Sequence, residues 1–102
     1  MTGDATGTTT IAIDRTDVEN LLSRFQVRLT DADGTSTDHE VTLSRADWER
    51  FGVGYRTPEE LIEAAFLFLL EREPKEQILA AFDLAQITRY FPSFGRDISR
   101  RP

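Results

Sequence analysis

Cysteine is absent from this chain of 102 residues, histidine occurs once, and acidic residues outnumber basic ones. Without cysteine the chain cannot form a disulfide, a thiolate nucleophile or a cysteine metal site. Eighteen acidic residues against twelve basic ones give a net charge of −6. Proteins that bind nucleic acid usually present basic side chains to the phosphates, so we expect no nucleic-acid partner.

Long apolar runs are also missing. The longest, Ala64–Leu70, has seven residues, whereas a membrane-spanning helix needs about 20. The N-terminus has no basic segment followed by an apolar one, which indicates that no signal peptide is present. We therefore expect a cytoplasmic protein with no membrane partner.

Sequence motifs of enzymes are equally scarce. Neither a phosphate-binding glycine loop nor a G-x-S-x-G nucleophile motif occurs. Gly52 and Gly54 precede a helix whose first turn carries Glu59 and Glu60, and these carboxylates would repel an anion. We interpret the two glycines as the end of the preceding helix. No catalytic residue, metal or cofactor is predicted, and we expect that the protein is not an enzyme.

The residues that are present indicate one α+β domain, predicted over residues 11–94. Residues 1–10 are small and polar and are predicted to form a disordered N-terminal segment. Residues 95–102 contain one apolar side chain, Ile98, and are predicted to form a flexible C-terminal tail. The domain is short enough for its core to be modest.

Two segments with alternating polarity predict an antiparallel hairpin with one wet face. Residues 25–30 place Phe25 and the following odd positions on one side, and residues 39–43 repeat the pattern. On the wet face we expect Arg28 to pair with Glu40. Residues 8–13 are a candidate third strand, which the pattern leaves undecided.

Capping residues divide the remainder into four or five helices; they are Ser44, Thr57 and the cap pair of Asp83 and Gln86, besides a first cap at Thr16. Helices are predicted over Thr16–Arg24, from Ser44 to Gly52, from Thr57 to about Glu73, from Pro74 to Phe82 and over Leu84–Phe91. The predicted fold is therefore a small antiparallel hairpin of two or three strands packed on a layer of four or five helices.

The long helix is apolar on all sides over Ala64–Leu70, so it must be enclosed by the domain or by a second copy. A small sheet covers one side of such a helical layer, and we therefore predict a two-fold homodimer through the helices. The alternative cover is the Thr16–Arg24 helix. Core packing accounts for most of the aromatic residues; the candidate interface residues are Phe66, Phe68, Phe82, Tyr90 and Phe91.

Three polar features have both a structural and a functional interpretation. His39 ends a strand on its core-facing side, which favours a structural histidine over a catalytic one. The acidic turn that contains Asp31, Asp33 and Asp38 lacks the spacing of an EF-hand, which favours a solvated loop over a Ca²⁺ site. Arg72 either belongs to a solvated helix end or anchors a neighbouring acid such as Asp83.

Four segments together resemble a family of small bacterial proteins of unknown function. These segments read H-E-V-T-L, L-I-E-A-A-F-L-F-L-L-E-R-E-P, I-L-A-A-F-D-L and I-T-R-Y-F-P, and the resemblance as a whole covers roughly residues 25–92. The resemblance implies a compact bacterial domain. It implies no activity and no catalytic residue.

The function predicted from the sequence is a non-enzymatic protein-interaction or regulatory module, whose partner and pathway the sequence does not name. The alternative is a transcription regulator like the ribbon-helix-helix proteins, because V-T-L-S, a short helix and R-T-P-E-E-L-I-E-A-A-F follow in that order. Glu40 and Asp38 on and before the strand count against a DNA-reading ribbon.

Overall fold

The computed structural model describes residues 9–18 and 22–99, with the side chains of residues 17 and 18 left out. Its strands are β1 (Thr9–Val18), β2 (Leu22–Asp31), β3 (Ser36–Ser44) and β4 (Ala81–Asp83). Its α-helices are α1 (Arg45–Phe51), α2 (Pro58–Leu70), α3 (Ile87–Tyr90) and α4 (Phe94–Asp97), and two 3₁₀ helices cover Lys75–Gln77 and Leu84–Gln86. The α+β class is confirmed, but the sheet has four strands instead of two or three.

The sheet has the order β1-β2-β3-β4, in which β4 alone runs parallel to its neighbour. Every second residue of β2 and β3 is buried, beginning with Phe25 and His39, and the residues between them are largely exposed. The predicted hairpin with one wet face is therefore confirmed. It is the alternation of side chains along a strand that separates the two faces.

The predicted pair of Arg28 with Glu40 is wrong. The register places Arg28 opposite Asp38, and the guanidinium donates to that carboxylate at 2.8 Å. Glu40 lies opposite Gln26 and accepts from Arg24 at 3.1 Å. The turn between the strands sets this register, which shifts the pair by one position on the same face.

The predicted helix over Thr16–Arg24 is also wrong wherever the structure describes it. The backbone of β1 stays extended to Val18 and β2 begins at Leu22, while residues 19–21 lie outside the described residues. Pairing with β3 extends β2 back to Leu22, so the ladder overrides the local helix signal. The candidate third strand is confirmed from Thr9 onward.

Side-chain caps begin both longer helices as predicted. Ser44 accepts from the backbone N–H of Asp47 at 3.0 Å, and Thr57 accepts from that of Glu60 at 3.2 Å. Gly52 follows α1 as its C-cap. Helix α2 ends at Leu70, three residues before the predicted end at Glu73.

Helix α2 is packed on two sides by its own chain, while Leu67 stays exposed. On one side Phe66 packs against the ring of His39 in β3 and that of Phe82 in β4. On the other side Phe68 makes edge contacts with Phe91 and Phe94 from the C-terminal segment. The apolar face that motivated a dimer through the helices is therefore largely covered. The oligomeric state itself stays a prediction.

The predicted helix from Pro74 to Phe82 is wrong. Lys75–Gln77 form one 3₁₀ turn, after which the chain extends into β4 and pairs with Glu40–Thr42 of β3. Strand β3 has an open edge there, and its backbone groups need partners. The cap pair of Asp83 and Gln86 is confirmed, although it opens a 3₁₀ helix that leads into α3.

The chain after α3 packs back onto the domain. Residues 95–99, predicted as tail, lie in α4 or directly after it. Phe94 is fully buried, and Ile98 is buried beneath the hydroxyl of Tyr55, which donates to its carbonyl. Residues 1–8 and 100–102, predicted to be disordered or flexible, lie outside the described residues. Among the described helices none has the length and apolarity to cross a membrane.

Candidate interaction groove

An apolar groove of about 130 Å³ lies between the end of α2, the segment before and within β4, and α3. Its floor is formed by buried side chains: Leu69, Ile78, Phe82 and Ile87. Its rim carries two strongly exposed ones, Leu79 at 46 % and Tyr90 at 63 % of their surface. Four large apolar side chains are strongly exposed among the described residues, and two of them lie on this rim.

His39 holds one wall of the groove in place. Its Nδ1 lies 2.7 Å from the carbonyl oxygen of Leu79, and its Nε2 lies 2.8 Å from the hydroxyl of Thr37. Because a carbonyl can only accept, Nδ1 carries a proton and donates to Leu79. Both ring nitrogens are thus occupied in a residue that is 2 % exposed. This geometry agrees with the structural role expected for His39. The ring anchors the groove wall at the carbonyl of Leu79.

Asp83 caps the 3₁₀ helix that leads into α3 beside the groove. Its carboxylate accepts from the hydroxyl of Thr42 at 2.7 Å and from the backbone N–H of Ala85 at 3.2 Å. The Gln86 side chain in turn accepts from the N–H of Asp83 at 2.8 Å. This capping box sets the direction in which Ile87 and Tyr90 leave the sheet.

Lys75, the only lysine of the chain, is 2 % exposed and secures the 3₁₀ helix beside the groove. Its ammonium group donates to Asp31 at 2.7 Å, to Thr35 at 2.8 Å and to Glu76 at 2.6 Å. Three oxygens satisfy its three donors, as a buried charge requires. The segment 75–78 is thereby clamped to the β2–β3 turn.

The same contacts shift the titration of all three charged groups. The hydrogen bond to Asp31, followed by that to Glu76, raises the pKa of Lys75 above its usual value. The hydrogen bond from Lys75 lowers the pKa of Asp31, with a smaller contribution from Thr9, and it also lowers the pKa of Glu76. Sequence reasoning missed this clamp. A lone lysine directly after Pro74, in a chain otherwise using arginine, was its only signal.

The remaining carboxylates of the acidic turn face separate partners. Asp33 accepts from the N–H and the hydroxyl of Thr35, which together lower its pKa. Asp38 is held by Arg28, whose hydrogen bond lowers the pKa of Asp38. Within residues 9–18 and 22–99 no three side chains of the metal-binding types converge. The turn therefore fits the solvated-loop interpretation.

Arg72 contacts a neighbouring acid, as one of the two interpretations expected, but this acid is Asp97 and not Asp83. Its guanidinium lies over the ring of Phe68, 3.6 Å from the ring centre. It donates to the carbonyl of Phe68 at 2.8 Å and to Asp97 at 3.4 Å. Arg72 thus satisfies a carbonyl at the C-terminal end of α2 and ties that end to α4.

The five candidate interface residues separate into two groups. Phe66, Phe68 and Phe82 are buried within the core, although the Phe82 ring also reaches the groove floor. Tyr90 and Phe91 line the groove, where Tyr90 is exposed and Phe91 is half-buried against Phe68. Phe66, Phe68 and Phe82 belong to the core because α2 and β4 direct these side chains towards the sheet or towards α4. Only Tyr90 and Phe91 offer surface to a partner.

Comparison with protein-family models, with curated proteins and with solved structures gave no match. The resemblance to small bacterial proteins therefore stays a prediction.

Proposed function

We propose that this protein is a non-enzymatic protein-interaction module whose groove holds one large apolar side chain of a partner. The observation that carries the proposal is the exposure of Tyr90 and Leu79 on the rim of a groove with a buried apolar floor. Tyrosine is favoured at protein interfaces because its ring is apolar and its hydroxyl keeps a hydrogen-bonding group in water.

The size of the groove supports a single anchor side chain. Its volume of about 130 Å³ is close to the ~150 Å³ of an engineered apolar cavity that holds one benzene molecule. A leucine or phenylalanine side chain fits such a space. Burying one such side chain contributes about 1.5–3 kcal/mol, so residues beside the anchor have to supply further contacts.

The charge at the groove indicates which residues of the partner lie beside its anchor side chain. Among the described lining residues the one charged side chain is the carboxylate of Glu73, on a protein whose net charge is −6. A partner segment with lysine or arginine next to its anchor would meet complementary charge at the rim and throughout its approach. Gln77 and Gln86 add neutral hydrogen-bonding groups to the rim.

The topology favours this function over the ribbon-helix-helix alternative. A DNA-reading ribbon is built from a strand that is free to pair with the same strand of a second copy. In this fold β3 has β2 on one side and β4 on the other, and Glu40–Thr42 are paired on both. The outward face of β3 also carries Asp38 and Glu40, which would face phosphate.

A peptide selection tests the proposal. A random peptide library displayed on phage is selected against the purified protein, and the dissociation constants of the recovered peptides are measured by fluorescence anisotropy. We expect a consensus of one aromatic or large aliphatic residue beside a basic one. Tyr90→Ala should weaken binding about tenfold or more, and Glu73→Gln should weaken it and reduce its salt dependence.

Val53→Ala is the matched control, because Val53 is 47 % exposed and does not line the groove. It should leave the affinity unchanged. Equal affinity for wild type and Tyr90→Ala, in protein with an unchanged denaturation midpoint, would contradict the proposal. So would a selection whose peptides share no apolar anchor.

A further inference from the structure

Strand β1 is an edge strand whose outer side has no neighbour among the described residues. It is ten residues long and is held on its inner side by β2. The Nη2 atom of Arg15 lies 2.7 Å from Oε1 of Glu59 in α2, and this ion pair fixes the strand against the helical layer. A long exposed edge presents a row of unpaired backbone donors and acceptors, which is a template for a further strand.

The first six residues of β1 carry one of the devices that usually protect such an edge, the charged side chain of Asp14 at their end. Residues 9–14 contain no proline and no lysine, and four of the six are threonine or isoleucine. The bulge of β1 falls later, between Arg15 and Asp17. The half of the strand before the bulge is therefore regular in register, rich in strand-forming residues and open to pairing.

The side chains of this segment complement themselves. When two antiparallel copies are centred on Ala12, Ile11 of each lies opposite Ile13 of the other, and Thr10 lies opposite Asp14. Ile11 and Ile13 are only partly buried at the margin of the core, so two such pairs would cover their remaining surface. Shifting the centre to Ile13 would set Ile11 against Arg15, and centring on Ile11 would set Ile13 against Thr9.

We propose that β1 pairs antiparallel with β1 of a second copy of this chain about a two-fold axis at Ala12, giving one sheet of eight strands. An edge that pairs with itself closes as a dimer. The other edge of the sheet, β4, has three residues and offers little for further growth. Because β1 and β4 lie at opposite edges, the groove beside β4 stays open in both copies.

The dimer adds a consequence for binding. Two grooves on one particle allow a partner with two anchor segments, or two partners on one surface, to bind with avidity. The pairing itself rests on β1 alone and is independent of the function proposed for the groove.

Sedimentation equilibrium tests the pairing, with a mass of twice 11.6 kDa expected at about 50 µM. Ala12→Glu places two carboxylates against each other at the axis, while within one copy the new carboxylate lies opposite Arg28. It should weaken the dimer by at least about tenfold. Ala12→Arg should also weaken it, and mixing the two variants in equal amounts should restore it.

Ala46→Glu, on the exposed surface of α1, is the matched control and should leave the dimer intact. As the chain contains no cysteine, Ala12→Cys should form a disulfide between copies under mild oxidation, whereas Ala46→Cys should not. A concentration-independent mass near 11.6 kDa overturns the proposal. A dimer that survives Ala12→Glu but dissociates with Leu67→Glu overturns it too, because it places the interface on the helices.

Discussion

Replacement of Phe66 by alanine removes a ring from the centre of the domain. Phe66 is fully buried in α2, and its ring lies 5.6 Å from that of His39 and 5.9 Å from that of Phe82. It therefore joins the helix to β3 and to β4 at once. The substitution tests whether this contact holds the two layers together.

The expected loss follows from two contributions. Burial of the side chain is worth about 1.5–3 kcal/mol. A residual cavity of about 100 Å³ adds about 2.4 kcal/mol at about 24 cal/mol per Å³, less where neighbours relax into it. The free energy of unfolding should therefore fall by about 3–5 kcal/mol, a large part of the 5–15 kcal/mol that native domains typically have.

Urea denaturation followed by circular dichroism measures the loss. With an m-value of about 1.5 kcal/mol per M, a loss of about 4 kcal/mol lowers the midpoint by about 2.7 M. Leu67→Ala is the control on the same helix, since Leu67 is 50 % exposed, and it should cost below about 1 kcal/mol. If Phe66→Ala does not fold, Phe66→Leu should still cost about 1–1.5 kcal/mol. Midpoints equal to that of wild type in both Phe66 variants would refute the packing argument.

Two further predictions concern the charged groups. Lys75→Met should lower the urea midpoint at pH 7, because Asp31 and Glu76 lose their shared cation. The pKa values of both carboxyls lie below their usual values near 4, so their stabilisation is present above about pH 4.5 and is lost as the pH falls through the lowered values. Wild type should therefore lose more stability between pH 7 and pH 3 than Lys75→Met, and equal losses would show that the clamp contributes nothing. Lys75 itself, with its pKa raised, stabilises the fold up to about pH 10 and ceases to do so above its folded value. Random duplex DNA should show no shift in an electrophoretic assay at about 150 mM salt, because the acidic protein has too few cations to displace counterions; a sub-micromolar complex would instead support the ribbon-helix-helix alternative.

Local signals in the sequence were sufficient wherever a structure depends on residues a few positions apart. The caps at Ser44 and Thr57 and the capping box at Asp83 involve contacts over three residues, and each was predictable. The alternation of β2 and β3 was equally plain, because the side of a strand that is buried repeats every second residue. These signals gave the α+β class, the hairpin and the buried position of His39.

Contacts between distant parts of the chain decided the rest. Residues 81–83 carry a helical pattern but form a strand, because the open edge of β3 binds their backbone. Segment 16–24 is extended where described, since the ladder between β1, β2 and β3 satisfies more backbone groups than an isolated short helix would. The clamp at Lys75 joins it to Asp31, 44 positions away. Local patterning determined the class of fold and the capped helices; partners in tertiary contact determined the strand register, the fourth strand and the groove, because these depend on hydrogen bonds and packing that no short segment contains.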